Sequence, residues 1–229
     1  MSVISNPAKA IELIQSKQLL VYDFDGVLAD SVEVKTEAFA EIYKSYGSSV
    51  VNKVVDHHRR NGGMSRFEKF RHYHNIFLQQ DIDEKMVEEL SQSFSKTVVD
   101  KVIASPEICG SDRFIKQYNR RLGCISVINS ATPTDEVKKI VSERGIFDSF
   151  DAIYGSPNSK TDNLLSIRED FSIDFDKGVF FGDAESDFKA AQSIGMDFIG
   201  IGSTIAKLLN DVDGQWFVFD DFIELVDGD

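Results

Sequence analysis

The fold of this chain is decided by the stretch Leu19-Leu20-Val21-Tyr22-Asp23-Phe24-Asp25-Gly26-Val27-Leu28. A short apolar run of strand-forming residues ends abruptly at Asp-x-Asp-Gly, where Gly26 permits a tight turn. Such runs are typical of buried strands in parallel sheets, whose ligands bind beyond the carboxyl ends of the strands. Because the turn at Gly26 displaces Asp25 from the line of the strand, we expect Asp23 and Asp25 to have different roles. The plain alternative is an acidic turn that closes a strand, because Asp and Gly are ordinary turn residues.

Three later segments also place a polar or charged side chain where an element ends or begins. Ser130 follows an apolar run and precedes a predicted helix, which suits a phosphate site or, alternatively, a simple turn. Lys160 opens a helical pattern, an unfavourable place for a cation unless an anion lies nearby, although such lysines are usually just solvated. Asp183 and Asp187 bracket the turn after the apolar residues 179–181. Both carboxylates can therefore turn towards one bound cation.

The bulk composition excludes several classes of function. The chain has 229 residues, a net charge of −13 and 42% hydrophobic residues, so it can bury a sizeable core. Its acidity makes nucleic acid and anionic membranes poor general partners. Neither Cys109 nor Cys124 has a C-x-x-C neighbour, so we expect no zinc site and no disulfide framework. Without an apolar run of signal-peptide or membrane-spanning length, the expected location is the cytoplasm.

The order of the predicted elements indicates an α/β fold with an insertion. Helical patterns fill residues 31–103 without a convincing strand, and from about residue 123 short apolar runs alternate with helices. The strands expected there are 124–128, 147–154, 179–181, 198–201 and a final strand in the apolar cluster 216–219. We therefore predict a doubly wound parallel sheet formed by residues 1–28 and 105–229, with an inserted α-helical domain at 29–104.

The inserted helices carry a basic segment in an otherwise acidic protein. All four histidines lie within it, at His57, His58, His72 and His74. Residues 57–74 have five Arg or Lys residues and one acid, a local charge of +4. Arg59, Arg60 and Arg66 are the candidates for binding an anionic substrate from a basic loop beside Gly62 and Gly63. The alternative is a solvated basic helix face with partly packed histidines.

Taken in order, Asp23-x-Asp25, Ser130, Lys160 and Asp183 with Asp187 resemble the four motifs of the haloacid dehalogenase superfamily of phosphoryl-transfer enzymes. The resemblance covers residues 19 to about 201 and implies a Rossmann-like core that uses Mg²⁺. It assigns the nucleophile and a metal ligand to Asp23, and the acid and base to Asp25, whose backbone carbonyl contributes to the metal site. Ser130 would bind phosphate oxygens, Lys160 would steady the charge, and Asp183 would ligate the metal. Asp187 would be a further ligand or would orient one.

The insertion and Asp25 narrow the resemblance to one part of the superfamily. Its dehalogenase branch lacks an aspartate at position 25, since carbon–halogen cleavage protonates no leaving oxygen, so Asp25 points to phosphate esters. The inserted helices resemble the helical-cap subgroup, which includes phosphoglycolate-phosphatase-like and β-phosphoglucomutase-like enzymes. Many relatives have proline directly after the motif lysine, whereas Lys160 is followed by Thr161.

The resemblance implies a Mg²⁺-dependent phosphomonoesterase that acts on a small phosphorylated metabolite, such as a sugar phosphate or a phosphoglycolate-like acid. Two other functions stay open: a phosphomutase with the same chemistry, and a catalytically silent ligand-binding regulator. The second is disfavoured because a binding module has no need of Asp25. No nucleic acid or membrane partner is expected, and the chain is expected to be a monomer or a homodimer.

Overall fold

A parallel sheet of seven strands forms the centre of the structure, a computed structural model that describes residues 3–226. The strands are β1 (Val3–Ile4), β2 (Leu19–Tyr22), β3 (Ile125–Pro133), β4 (Ala152–Ser156), β5 (Gly178–Gly182), β6 (Asp197–Ile201) and β7 (Trp216–Phe219). Their order across the sheet is β1-β7-β6-β5-β2-β3-β4. The decisive strand, β2, thus pairs with β3 on one side and with β5 on the other, at the point where the strand order reverses.

Helices cover both faces of the sheet, as expected for a doubly wound fold. The α-helices of the described residues are α1 (Pro7–Ser16), α2 (Val32–Ile42), α3 (Ser48–Arg60), α4 (Arg66–His72), α5 (Glu84–Ile103), α6 (Ser111–Tyr118), α7 (Thr134–Glu143), α8 (Lys160–Phe171), α9 (Glu185–Ser193) and α10 (Ser203–Leu209). Leu20 and Tyr22 of β2 belong to one hydrophobic cluster, whereas Leu19 and Val21 belong to another. Because alternate residues of a strand face opposite sides, β2 is buried on both of its faces. The predicted fold class is confirmed.

Helices α2 to α5 lie between β2 and β3, and the described chain has no strand between those two. Ser65 and Glu68 form the predicted capping box at the start of α4. A π-helical turn at Tyr73–Leu78 follows α4. Phe39, Phe70 and Phe94 join these helices through ring contacts. We call helices α2 to α5 the helical cap. No helix within residues 3–226 is both long and apolar enough to cross a membrane.

Three details of the strands differ from the predictions. The expected strand at 147–154 is a 3₁₀ turn at Phe147–Ser149 followed by β4, because Asp148 and Ser149 favour a turn over a strand. Strand β3 runs past its expected end to Pro133, with an irregular register after Asn129. Strand β1 was not expected, since two residues carry no readable periodicity.

The helical cap is joined to the sheet domain by a buried ion pair. The guanidinium of Arg66 in α4 bonds both carboxylate oxygens of Glu136 in α7, and it also donates to Ser95 of α5. The side chains of Arg66 and Glu136 are only 4% and 8% exposed. The guanidinium also lies 4.6 Å above the ring of Phe94. Removing one member of such a pair leaves the other charge buried without compensation.

We predict that Glu136→Gln lowers the free energy of unfolding by about 3 kcal/mol, because it leaves Arg66 buried without its counter-ion. The control is Glu33→Gln, which removes the partner of Arg59 in an exposed pair within the helical cap. That change is expected to have a much smaller effect, since exposed ion pairs contribute little. Urea unfolding of both variants provides the measurement. Equal, small losses would show that the Arg66 pair does not hold the cap.

Candidate active site

Carboxylates from two neighbouring strands meet at one edge of the sheet. Asp23 directly follows β2, and Asp183 directly follows β5. Because Tyr22 pairs with Phe181 in the register of these strands, the two acids leave the sheet side by side. Each of Asp23, Asp183 and Asp187 has a carboxylate oxygen within 4.8 Å of those of the other two. The structure therefore brings together three of the acids that were predicted from the sequence.

Two glycines allow these acids to lie against the backbone. Gly26 has a φ of +80°, and a Cβ built there would lie 2.2 Å from the Oδ2 atom of Asp183. A Cβ on Gly182 would lie 2.3 Å from the Cβ of Asp187. Real Cβ atoms do not approach other atoms so closely. The turn after β2 and the end of β5 thus need glycine in order to place the carboxylates.

Lys160 is the cation that faces these acids. It is the first residue of α8, whose N-cap is Ser159, and its ammonium group lies 2.8 Å from Asp23 Oδ2 and also bonds Asp187. Burial acts to lower the pKa of Lys160, but the charges of Asp187 and Asp23 raise it above its ordinary value. The amide of Asn129 donates to the backbone carbonyl of Lys160 at 2.9 Å and fixes the start of α8.

Asp187 is fully buried, and both of its oxygens have partners. One oxygen bonds Lys160, and the other accepts the backbone N–H of Ala184 at 3.1 Å. With both oxygens engaged, Asp187 is placed to orient Lys160 and the turn that carries Asp183. Of the two roles that the resemblance implied, this arrangement favours the orienting one.

The acidic cluster has more negative charge than Lys160 neutralises. Burial, together with the charges of Asp187 and Asp25, raises the pKa of Asp23 to about 7 despite the opposing effect of Lys160. Burial and the charge of Asp23 raise the pKa of Asp183 well above its ordinary value. Closely spaced carboxylates of this kind suit a hard divalent cation that prefers oxygen ligands. The residues present therefore fit Mg²⁺, with Asp23 and Asp183 as side-chain ligands.

Asp25 has a separate environment on the other side of the turn. Its Oδ1 accepts the hydroxyl of Ser31 at 2.6 Å, and its Oδ2 accepts from Lys35 Nζ at 2.5 Å and from Thr132 Oγ1 at 3.1 Å. Burial would raise the pKa of Asp25, but the charge of Lys35 and these hydrogen bonds lower it. The pKa of Asp23 is therefore raised and the pKa of Asp25 is lowered, which is consistent with separate roles for the two aspartates.

Ser130 lies near the end of β3 and is almost completely buried. Its hydroxyl accepts the backbone N–H of Thr132 at 3.1 Å. The cavity beside the acids is instead lined by the next two residues, Ala131 and Thr132. The role of Ser130 in binding phosphate remains a prediction.

The helical cap closes over the acids. A Cβ on Gly63 would lie 1.8 Å from Ser186 Oγ, and one on Gly62 would lie 3.5 Å from Ala184 Cβ. These two glycines therefore serve as a point of close contact with the loop after β5. A cavity of about 40 Å³ beside Gly62 is lined by residues of the helical cap and of the loops at the edge of the sheet. They include Asp23, Asp25, Lys35, His58, Arg66, Lys69 and Asp183.

The structure separates the three arginines that were predicted to bind substrate. Arg66 reaches the wall of the cavity, although its guanidinium is bonded to Glu136. Arg60 lines a second, more open hollow beside Lys160. Arg59 is exposed and bonds Glu33, and it lines neither the cavity nor the hollow. Of the three, Arg66 is the one that lines the same cavity as Asp23 and Asp183.

Sequence reasoning missed Lys35, Thr132, His58 and Lys69 as residues of the site. Lys35 is the fourth residue of α2, near the positive end of the helix dipole, an environment that is unfavourable for a cation there as it is at Lys160. A lysine near the start of a predicted helix is therefore a signal in the sequence that could have identified Lys35. His58 and Lys69 reach the cavity only through the packing of α3 on α4, for which the sequence offers no signal.

Comparison with known proteins agrees with this geometry. The family model of haloacid dehalogenase-like hydrolases matches residues 20–201. A phosphoglycolate phosphatase of Psychrobacter arcticus is 28% identical, with 92% of this chain and 95% of that protein covered.

Solved structures with the same fold include a β-phosphoglucomutase from Clostridium difficile, with a TM-score of 0.73 at 18% identity, covering 91% of this chain and 93% of that one. Another is a hydrolase from Pseudomonas syringae, with a TM-score of 0.72 at 17% identity, covering 91% of this chain and 96% of that one. At such low identities these two likenesses show the fold alone.

The family match covers most of the chain, and it includes Asp23, Asp25, Ser130, Lys160, Asp183 and Asp187. The resemblance inferred from the order of these residues is therefore confirmed. This protein belongs to the family of haloacid dehalogenase-like hydrolases.

Proposed function

We propose that this protein is a Mg²⁺-dependent phosphomonoesterase that cleaves a small phosphate ester through a phosphorylated Asp23. One observation supports this most: Asp23 bonds Lys160 at the end of β2, close to Asp183, and it lines the same cavity as Asp25. A carboxylate nucleophile with a second carboxyl group in the same cavity meets the need for a nucleophile and a proton carrier. The similarity to a phosphoglycolate phosphatase is consistent with this proposal.

Asp23 is oriented for attack on phosphorus. The backbone N–H of Phe24 donates to its Oδ1 at 2.7 Å, and Lys160 holds its Oδ2. In the first step a carboxylate oxygen of Asp23 bonds to phosphorus while the bond from phosphorus to the alcohol oxygen breaks. Lys160 remains beside the transferred group and offsets its negative charge.

Asp25 carries the proton in both steps. In the first step Asp25 donates a proton to the departing alkoxide. In the second step it takes a proton from a water molecule, and the attack of this water on phosphorus releases phosphate from Asp23. In the arrangement seen here, Lys35 keeps Asp25 charged, which suits the second step. For the first step Asp25 must bind a proton, so the contact with Lys35 has to loosen when substrate enters.

Mg²⁺ held by Asp23, Asp183 and the backbone carbonyl of Asp25 would supply positive charge to the carboxylates and to the phosphate oxygens. Asp187 fixes Lys160 and the turn before α9, so that Asp183 keeps its position next to Asp23. The helical cap excludes bulk water from the cavity while the ester is bound.

We predict that Asp23→Asn lowers kcat by more than about 1,000-fold on p-nitrophenyl phosphate, because it removes the nucleophile. The melting temperature is expected to stay the same or to rise, since a crowded buried carboxylate is replaced by a neutral amide. Phosphate release and thermal melting are measured on the same preparation. Near-native turnover by the variant would rule out a phosphorylated Asp23.

Chelation provides a second test. We expect EDTA to abolish phosphate release and added Mg²⁺ to restore it, because the acids repel one another without a counter-ion. Asp183→Asn is expected to need a higher concentration of Mg²⁺ for half-maximal activity, since one ligand oxygen loses its charge. Full activity of the wild-type protein in excess chelator would contradict the Mg²⁺ assignment.

A further inference from the structure

The helical cap covers Asp23 in this structure. Asp23 is 4% exposed, and the cavity that it lines measures about 40 Å³, enough for about three water molecules but not for a phosphate ester. A hollow of about 480 Å³ lies beside Lys160. Gly62 and Met64 of the cap and Ala131 of β3 line both spaces. A shift of the cap against the sheet would therefore join the two spaces and admit the ester to Asp23.

The chain passes between the sheet domain and the helical cap at residues 28–31 and 104–108, and these two crossings lie side by side. The backbone N–H of Asp30 donates to the carbonyl of Pro106 at 2.9 Å. A second backbone bond, at 3.3 Å, and an antiparallel bridge join the same two crossings. We call the two crossings the hinge ribbon. Because both lie in one place, the cap can turn about this ribbon as one body.

Arg144 ties the end of the helical cap to the sheet domain. It directly follows α7, and its Nη1 atom donates to the carbonyls of Val102, Ile103 and Ser105 at 3.1, 3.0 and 2.7 Å. These carbonyls lie at the end of α5, the helix that leads into the hinge ribbon. The last carbonyls of a helix have no partners within it and form its negative end, so they attract a cation. The side chain of Arg144 makes no other hydrogen bond within residues 3–226.

Helix α7 thus holds the helical cap at two places. Near its start, Glu136 bonds Arg66 of α4 and Ser95 of α5. Arg144 follows Glu136 by eight positions (144 − 136), which is about 12 Å along a helix. Because Arg66 lines the cavity and Arg144 contacts the hinge ribbon, a turn of the cap displaces the first contact most and the second least. Nη1 has two hydrogens for three carbonyls, so Arg144 can change partners during such a turn without losing contact.

We infer that Arg144 is a positioning residue for the reaction, which fixes the axis of the helical cap and keeps the cap near its closed position over Asp23. This inference rests on the proposed phosphatase function and goes beyond it. Arg144 lines neither the cavity nor the hollow, so it acts only through the cap. Without its contacts a smaller fraction of the protein has the cap in the position that binds substrate productively. Such a reduction weakens the apparent affinity and raises KM.

The test compares two arginines that make the same kind of contact. Arg121 donates to the carbonyls of Ile14, Gln15 and Lys17 at the end of α1, within the sheet domain and away from the cap. We expect Arg144→Met to raise the KM for p-nitrophenyl phosphate by about 10-fold, the factor that corresponds to one hydrogen bond to a charged group. The kcat is expected to change by less than about threefold, because the reacting groups are untouched. Arg121→Met is expected to keep the wild-type KM.

Hydrogen exchange provides a readout that does not depend on activity. In Arg144→Met the backbone amides of the hinge ribbon are expected to exchange about 10-fold faster than in the wild-type protein, because opening there becomes less costly. In Arg121→Met these amides are expected to exchange at the wild-type rate. Arg144→Lys keeps the charge but offers a single nitrogen on a shorter side chain, so we expect about a threefold rise in KM.

A wild-type KM in Arg144→Met, or an equal rise in KM in Arg121→Met, would overturn the inference. A loss confined to kcat that follows the melting temperature in both variants would also overturn it, because such a loss reflects folding alone. If Arg144→Met does not fold, Arg144→Lys decides, and a wild-type KM with wild-type exchange in that variant would overturn the inference.

Failure of the proposed function has a different signature. If the wild-type protein releases no phosphate from p-nitrophenyl phosphate, the phosphatase function is contradicted, and hydrogen exchange alone then decides whether Arg144 holds the cap. Faster exchange in the hinge ribbon of Arg144→Met, but not of Arg121→Met, would support that role. Equal exchange in both variants would overturn it.

Discussion

The ammonium group of Lys160, buried between Asp23 and Asp187, is the contact on which the rest of the site depends. Without this cation the acids at the ends of β2 and β5 would be too close together to remain ionised in a buried position. The lysine offsets only part of their charge. The surplus negative charge explains why the site suits a divalent cation, and the same arrangement can receive the charge of a transferred phosphate.

The backbone around this contact is built for close approach. Gly26 and Gly182 leave room for the carboxylates of Asp183 and Asp187, and Gly63 brings the helical cap onto Ser186. The cap in turn is tied to the sheet domain by Arg66 and Glu136. The result is a small cavity in which Lys35 and Arg66 already have acidic partners. Lys69 has no acidic partner among the described residues, and its ammonium nitrogen contacts His58 Nδ1 and the carbonyl of Gly62.

The sheet and its acids could be read from the sequence because their signals are local. A buried strand that ends in Asp-x-Asp-Gly predicts both a parallel sheet and carboxylates at its edge, and the order of the later motifs indicates the family. The lining of the cavity could not be read in this way. The sequence identified the basic segment, but packing decides which of its cations face inward: Arg59 lies on the surface, whereas Lys69 lies in the cavity. The way in which separate helices pack on one another leaves no periodic signature in the sequence.

The central claim is that phosphorus is attacked twice, first by Asp23 and then by water. Hydrolysis of a phosphorothioate ester made chiral at phosphorus by sulfur and two oxygen isotopes, in water that carries the third isotope, tests this claim most directly, because the released thiophosphate then has four different groups on phosphorus. Each in-line displacement inverts the configuration at phosphorus, so two displacements predict overall retention in the released thiophosphate. Inversion would mean that water attacks the ester directly, and it would contradict a phosphorylated Asp23.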